Sequence, residues 1–280
     1  MRRAQAPLLA SLAGLMALAR SVIAGPATPD PCPPSLAQRQ IPAGQESTAT
    51  MAATPAPTAP APSTSTSTST STSTSLADYR HRLRPTPLGW ARRHHWCVWI
   101  EPGATTGPAA LWDGRWRQAV EGALASWQRN LPITVVGDPE RAQVRLLRRQ
   151  PPVQNRRASH GRATLMLVEV QRGESGQPAS PWQIEPQVTV QLSPGQGLPA
   201  MQATALHELG HAFGLWGHSD QAGDALAAVP GSQPVLELSA RDRATLLWLQ
   251  AQPGLTDPIP VSPGGARPAA GPAPLAPGAN

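Results

Sequence analysis

Three of the seven histidines in this 280-residue chain lie within twelve positions, at His207, His211 and His218. Residues four apart face the same side of a helix, so the first two imidazoles could bind one cation together. Three neutral imidazoles with one open coordination position are a ligand set of catalytic zinc. The spacing therefore predicts a zinc site formed by these three histidines.

Two further residues of this stretch have predicted roles in the same site. A straight helix cannot supply the third ligand, and Gly214 permits the backbone angles needed for the helix to end and for His218 to return to the ion. Glu208, beside His207, is predicted to act as a general base that takes a proton from zinc-activated water and delivers it to a leaving amine. The predicted chemistry is hydrolysis of an amide bond without a covalent intermediate.

The sequence around this motif alternates between strand and helix signals. Apolar residues at helical spacing predict a helix over residues 112–129, and Pro199 suits the first turn of a helix that reaches about Phe213. Ser239 and Asp242 have the spacing of a capping box and predict the start of a last helix. Five strands are predicted, at residues 95–100, 133–136, 142–147, 163–170 and 188–192. An α+β domain is expected.

Composition divides the chain into a foldable middle and two unusual ends. Residues 79–254 carry apolar runs and mixed charge over a length that can bury a core. Residues 1–24 have the pattern of an export signal, which predicts a secreted or periplasmic protein with no stable membrane span after signal cleavage. Residues 25–78, rich in Pro, Ala, Ser and Thr, are predicted to be a disordered linker, and residues 255–280 a disordered tail.

Charge and cysteine content limit the partners of the protein. The net charge is +6, but the arginines are scattered and no recognition motif accompanies them, so no nucleic-acid binding is predicted. Cys32 and Cys97 could form one disulfide in an exported protein or remain two thiols, and Cys32 could block a metal site as a thiolate. We expect a monomer.

Residues 207–218 read H-E-x-x-H-x-x-G-x-x-H and are followed by Ser219. This stretch resembles the zinc motif of the metzincin metallopeptidases, above all the matrixin-like branch, and weaker similarity extends over about residues 90–250. The resemblance implies a zinc endopeptidase with a twisted, mixed five-stranded sheet, three helices and the zinc in a cleft. It also implies an antiparallel edge strand, for which residues 163–170 are the candidate, where an extended polypeptide substrate could pair. Calcium is a possible further cofactor by family analogy only.

The chain departs from this family at the turn below the metal. The family has a methionine there, but none of the five methionines of this chain follows His218. The corresponding turn is expected within residues 224–230, with Ala227 or Ala228 in place of methionine and a looser site as the result. The alternative is therefore a catalytically weak or inactive zinc-binding protein that binds polypeptides. Retention of Glu208 favours the enzyme, because binding alone needs no base.

The remaining aromatic and histidine residues are given structural roles. Trp216, between Gly214 and His218, is predicted to pack under the third ligand and not to line the cleft, because buried indoles usually fill cores. Four other histidines are expected at the surface: His81, His94, His95 and His160. No second, structural zinc site is predicted.

Overall fold

A computed structural model describes residues 30–41, 77–153, 159–173 and 178–255. The strands in these ranges are β1 (Ser35–Gln40), β2 (Trp96–Ile100), β3 (Ile133–Val136), β4 (Val144–Leu147), β5 (Gly161–Arg172) and β6 (Gln183–Leu192). The α-helices are α1 (Ala109–Gln128), α2 (Leu198–Ala212) and α3 (Ala240–Gln250). The described part of the protein is therefore α+β with three α-helices, as predicted. The predicted export signal, most of the linker and the tail beyond Leu255 lie outside the described residues.

The strands form one mixed sheet in the order β1-β5-β6-β4-β2-β3. The pairs β2–β3, β2–β4 and β4–β6 are parallel, whereas β5 is antiparallel to β6 and β1 is antiparallel to β5. Parallel neighbours need a crossover connection, and α1 supplies it between β2 and β3. The sheet thus has a parallel part and an antiparallel side formed by β6, β5 and β1.

The sheet has six strands where the sequence predicted five, and the additional strand is β1. Ser35–Gln40 lies inside the segment for which composition predicted disorder, and that prediction is wrong for this strand. The sequence SLAQRQ has no strong apolar pattern of its own. Instead β1 is held by pairing with β5, more than a hundred residues away in the chain, for which composition gives no signal.

A disulfide joins the segment before β1 to β2. Cys32 and Cys97 are bonded across a sequence separation of 65 residues, so of the alternatives for these cysteines the single bridge is correct. Cys32 consequently has no thiolate to offer the histidine site. Closing so long a loop removes conformational freedom from the unfolded chain and thereby favours the folded one.

β1 covers only part of the outer side of β5. β1 pairs with residues 168–172, with Gln40 opposite Val168 and Ser35 opposite Arg172. Among the described residues no strand pairs with residues 161–167 on that side. The prediction of an edge strand at residues 163–170 is therefore wrong for residues 168–170, which β1 covers, and stays a prediction for residues 163–167.

The core lies where α1 and α2 pack on one another and on the sheet. The buried indole N–H of Trp127 in α1 donates to the carbonyl of Leu206 in α2 at 3.0 Å. Phe213, directly after α2, packs against Trp96 and Trp127 with ring centroids 5.6 and 5.5 Å apart. These contacts set the position of the helix that carries the first two predicted ligands.

The last helix begins as the sequence predicted. The Ser239 hydroxyl accepts from the amide of Asp242 at 3.0 Å, and the Asp242 carboxylate accepts from the amide of Ser239 at 2.9 Å, which completes a capping box. The other predicted helices and all five predicted strands are also found, with β5 and β6 longer than predicted. In the described part of the chain, no helix is long and apolar enough to cross a bilayer.

Candidate metal centre

Helix α2 brings the first two predicted ligands together. Nε2 of His211 lies 3.2 Å from Nε2 of His207. Nδ1 of His207 is 2.9 Å from the carbonyl oxygen of Ala225, and Nδ1 of His211 is 2.8 Å from that of Leu215. Since a carbonyl can only accept, these bonds assign the ring proton to Nδ1 in both imidazoles and leave the Nε2 lone pairs facing each other.

The third imidazole reaches the same point after a turn at Gly214. Helix α2 ends at Ala212, and Gly214 has φ +103°, a left-handed conformation that favours glycine. The chain then returns, so that Nε2 of His218 lies 3.2 Å from Nε2 of His211. The ligand atoms of His207, His211 and His218 all lie within 4.8 Å of one another. The predicted turn and the predicted approach of the third histidine are both found.

The three nitrogens suit a tetrahedral cation. Zinc–nitrogen bonds of about 2.0–2.1 Å at tetrahedral angles place neighbouring nitrogens about 3.3 Å apart, which is close to the observed separations of 3.2 Å. Burial lowers the pKa of His207 to about 4 and, with the two neighbouring histidines, lowers the pKa of His211 well below its usual value. The imidazoles are therefore neutral near pH 7, and their lone pairs are available to a metal.

Glu208 lies beside the histidines as a buried carboxyl group. Burial raises the pKa of Glu208 to about 7, although a hydrogen bond from the amide of Ala163 in β5 opposes the shift. A group with such a pKa can accept and release a proton near neutral pH. Gly161 allows β5 to approach Glu208 closely, because an added Cβ at this position would lie 2.6 Å from Cγ of Glu208 and 2.5 Å from Cγ2 of Thr204.

A cavity of about 440 Å³ opens next to His207, Glu208 and His218. Its β5 side is formed by His160 and Gly161. Small and apolar residues form much of the remaining wall, among them Ala200, Ala203, Ala225, Ala227, Ala228 and Val235. The polar site therefore borders a space that can receive an apolar side chain.

The segment below the histidines is tied to α3. Ala225, whose carbonyl accepts from His207, donates its amide to the Asp242 carboxylate at 2.8 Å. Arg241, also in α3, donates to the carboxylate of Asp224 at 2.8 Å. The orientation of the first ligand thus depends on a helix that does not itself contribute to the site.

The turn predicted to lack a methionine lies in this same segment. Ala227 is buried and forms a short parallel bridge with Ser219, whereas Ala228 is exposed. Leu226 packs so closely on α2 that a Cβ added at Gly210 would lie 2.5 Å from Cδ2 of that leucine. The looser site expected from alanine at this turn stays a prediction.

Trp216, His95 and His160 differ in detail from the sequence expectations. Trp216 is buried, as predicted, but it stacks on His211, with ring centroids 5.5 Å apart, and not on the third ligand. His95 is half-buried beside the disulfide, with Nδ1 3.8 Å from Sγ of Cys97, so it is less exposed than predicted. His81 and His94 are exposed as predicted. His160 is also exposed, yet it lines the cavity.

Two site residues, His160 and Gly161, were not recognised from the sequence as part of the site. Neither belongs to a spaced motif, and the only local signal is a glycine at the start of a strand. Such a glycine often marks a close approach of backbone to another group. It does not say which group, because α2 is distant in sequence.

Replacing Gly214 with alanine is expected to lower the free energy of unfolding by about 2 kcal/mol or more. Alanine at position 214 would have to adopt a left-handed φ. Its Cβ would also lie 2.7 Å from the carbonyl oxygen of Ala91, which is a backbone atom and cannot rotate away. Chemical denaturation measures the change. Gly137→Ala is the control, because an added Cβ there meets nothing within 4 Å. Equal effects at the two positions would contradict a special role for Gly214.

No protein-family model matches the chain, and a search of curated proteins finds no match either. The function of the site is therefore inferred from its residues and their geometry.

Proposed function

We propose that this protein is a zinc-dependent endopeptidase of the metzincin type that hydrolyses peptide bonds in extended polypeptides. The observation that supports this most strongly is the convergence of three imidazole nitrogens, from His207, His211 and His218, beside the buried carboxyl group of Glu208. A zinc ion held by three imidazoles lowers the pKa of a bound water to about 7 and polarises a carbonyl group.

The histidines would hold a zinc ion through Nε2. The bonds from Nδ1 of His207 to Ala225 and from Nδ1 of His211 to Leu215 fix both the tautomer and the ring plane. These carbonyls belong to the loop and turn that follow α2, so the ligand orientations are set before a metal arrives. Pre-oriented ligands bind a metal with a smaller loss of conformational freedom.

Glu208 moves the proton. With a pKa of about 7, its carboxylate can take a proton from the attacking water and return it to the leaving amine. The amide of Ala163 donates to the carboxylate and restricts its orientation. General acid–base catalysis of this kind contributes about 10²–10⁴-fold to a rate.

The substrate class follows from the surroundings of the site. Gly161 at the start of β5 lines the cavity. Residues 161–166 have no described strand on their outer side, so an extended polypeptide could add there as a further strand. Recognition through backbone groups suits polypeptides of varied sequence. The Cys32–Cys97 disulfide supports an oxidising compartment and hence the proposed secreted or periplasmic location. Neither nucleic acid nor a second subunit has a role in this proposal, and calcium is suggested by family analogy only.

The second candidate function is zinc-dependent polypeptide binding with little or no turnover. It is favoured by Ala227, which stands in the buried turn where the resembling family has methionine. The two candidates differ in whether a polypeptide bound at the site is cleaved.

The first test is metal content and hydrolysis measured on the same sample. The purified full chain is expected to bind one zinc ion and to digest unfolded casein, to lose the activity with a chelator and to regain it with added zinc. His211→Ala should lose both metal and activity, because it removes the ligand nearest to the other two. His94→Ala, at an exposed histidine away from the cavity, is the control and should retain the metal. Casein digestion that survives complete removal of metal would contradict the proposal.

A further inference from the structure

Among the described residues, the part of β5 that has no partner strand on its outer side is short, and β1 closes one end of it. The amide of Ser193 donates to the carbonyl of His160 on the β6 side, and the amide of Gly173 donates to the carbonyl of Pro34 on the β1 side. Backbone groups of successive strand residues point to alternate edges, so the odd-numbered residues of β5 point theirs away from β6.

Of these odd-numbered residues, those near the histidines already have partners. The amide of Gly161 donates to the Ser159 hydroxyl, and the amide of Ala163 donates to Glu208. The backbone groups of Leu165 have no partner on this side among the described residues. Carried one residue beyond Gln40, the register of β1 places the buried Ile41 beside Leu167.

The segment that ends this edge is firmly attached. The disulfide at Cys32 binds it to β2, and Arg141 donates to the carbonyl of Cys32 at 2.9 Å. Arg172 donates to the carbonyl of Pro33 at 2.8 Å and forms a buried ion pair with Glu185 at 2.9 Å. A peptide would therefore have to break several contacts to displace β1 from residues 168–172.

We propose that β1 and Ile41 form a fixed end wall of the peptide-binding edge and thereby determine substrate specificity. Because Ile41 already lies beside Leu167, an extended polypeptide can pair with β5 only opposite residues 163–166, a length of about 10 Å at the rise of a strand. On that side of the scissile bond, the enzyme thus selects on about four substrate residues, and longer substrates gain nothing there. This inference rests on the proposed function, which supplies the bound polypeptide.

Hydrogen exchange with unfolded casein tests the wall without turnover. In the zinc-loaded Glu208→Gln chain, casein should slow exchange of the Leu165 amide by about fivefold or more, since this amide forms a new backbone hydrogen bond. The amides of Glu169 and Gln171, already paired with β1, should not change.

Two variants at one position isolate the strand. Backbone groups alternate in direction along β1, and the N–H of Arg39 points at Glu169; Arg39→Pro removes this N–H. Arg39→Ala keeps it and removes only the side-chain ion pair with Glu169 and the stacking on Trp182. Placed in the Glu208→Gln chain, Arg39→Pro should let casein protect Glu169 and Gln171, and Arg39→Ala should behave like the parent. Unchanged exchange in β4 and β6 shows that each variant remains folded.

Each outcome decides the inference. The wall is overturned if casein protects Glu169 in the parent chain. It is also overturned if the Leu165 amide is already fully protected without casein, or if casein protects no amide of β5. An Arg39→Pro chain in which casein protection still stops short of Glu169 overturns it as well. Casein digestion by the wild type separates the two proposals: digestion with protection that reaches Glu169 removes only the wall, and protection confined to Leu165 without digestion removes only the peptidase.

Discussion

Glu208→Gln is expected to slow peptide hydrolysis by about 10²–10⁴-fold while the metal stays bound. Glutamine has nearly the shape of glutamate, and its amide oxygen can still accept from the amide of Ala163. It cannot take a proton from water near neutral pH, so only the proton transfer is lost. The three nitrogens that would hold the ion are unaffected, because the Glu208 carboxylate is not among the converging ligand atoms.

The rate of casein digestion at saturating substrate measures this effect, with metal content determined on the same preparation. Glu237→Gln is the matched control: it makes the same chemical change at an exposed glutamate that pairs with Arg129. If wild type and Glu208→Gln digest casein equally poorly, the peptidase is wrong and zinc-dependent polypeptide binding becomes the better description. A variant that has lost its metal would give no such separation, which is why the ligand histidines are unsuitable for this comparison.

Asp242→Ala is expected to lower the free energy of unfolding by about 3–5 kcal/mol. The Asp242 carboxylate is fully buried and accepts from the Tyr79 hydroxyl at 2.7 Å, the Ala225 amide at 2.8 Å and the Ser239 amide at 2.9 Å. Alanine leaves these buried donors without a partner and also removes half of the capping box of α3. Denaturant unfolding of the full chain measures the loss.

The same substitution should weaken zinc binding by about 10–100-fold. The Ala225 amide donates to Asp242 and the Ala225 carbonyl accepts from His207, so Ala225 connects these two residues. Without Asp242 the turn that orients His207 is released. Competition with a zinc chelator of known affinity, under conditions where the variant remains folded, measures this change.

Tyr79→Phe is the matched control for Asp242→Ala. Burial, together with the Asp242 carboxylate, raises the pKa of Tyr79, so its hydroxyl remains a donor at all ordinary pH values. Phenylalanine removes that one bond and keeps the buried ring, with an expected loss of about 1–2 kcal/mol and little change in zinc affinity. An Asp242→Ala chain no less stable than Tyr79→Phe would show that Asp242 does not hold the turn.

The histidine site illustrates how far local sequence rules extend. The i, i+4 spacing of His207 and His211 places both on one face of α2, and Gly214 supplies the turn that only glycine adopts easily. These are short-range properties, so they can be derived from residue types and spacing. The approach of His218 could be predicted for the same reason, because it lies only four residues beyond the turn.

Strand β1 illustrates where such rules end. Its own sequence is unremarkable for a strand, and the surrounding composition predicts disorder. The strand exists because Cys32 bonds to Cys97 and because Arg141 and Arg172 bind carbonyl groups of the preceding segment. Each of these partners lies at least 65 residues away, beyond the reach of composition or periodicity.

The sequence by itself therefore determined the convergence of the three histidines, the turn at Gly214 and the helices and most strands of the α+β domain, all of which follow from contacts between near neighbours in the chain. Only the tertiary structure decided that β1 completes the sheet, that Gly161 admits β5 to Glu208, and that Asp242 supports His207 through Ala225. The physical reason is that these features depend on how distant segments pack, and packing partners far apart in the chain leave no pattern in the local sequence of either one.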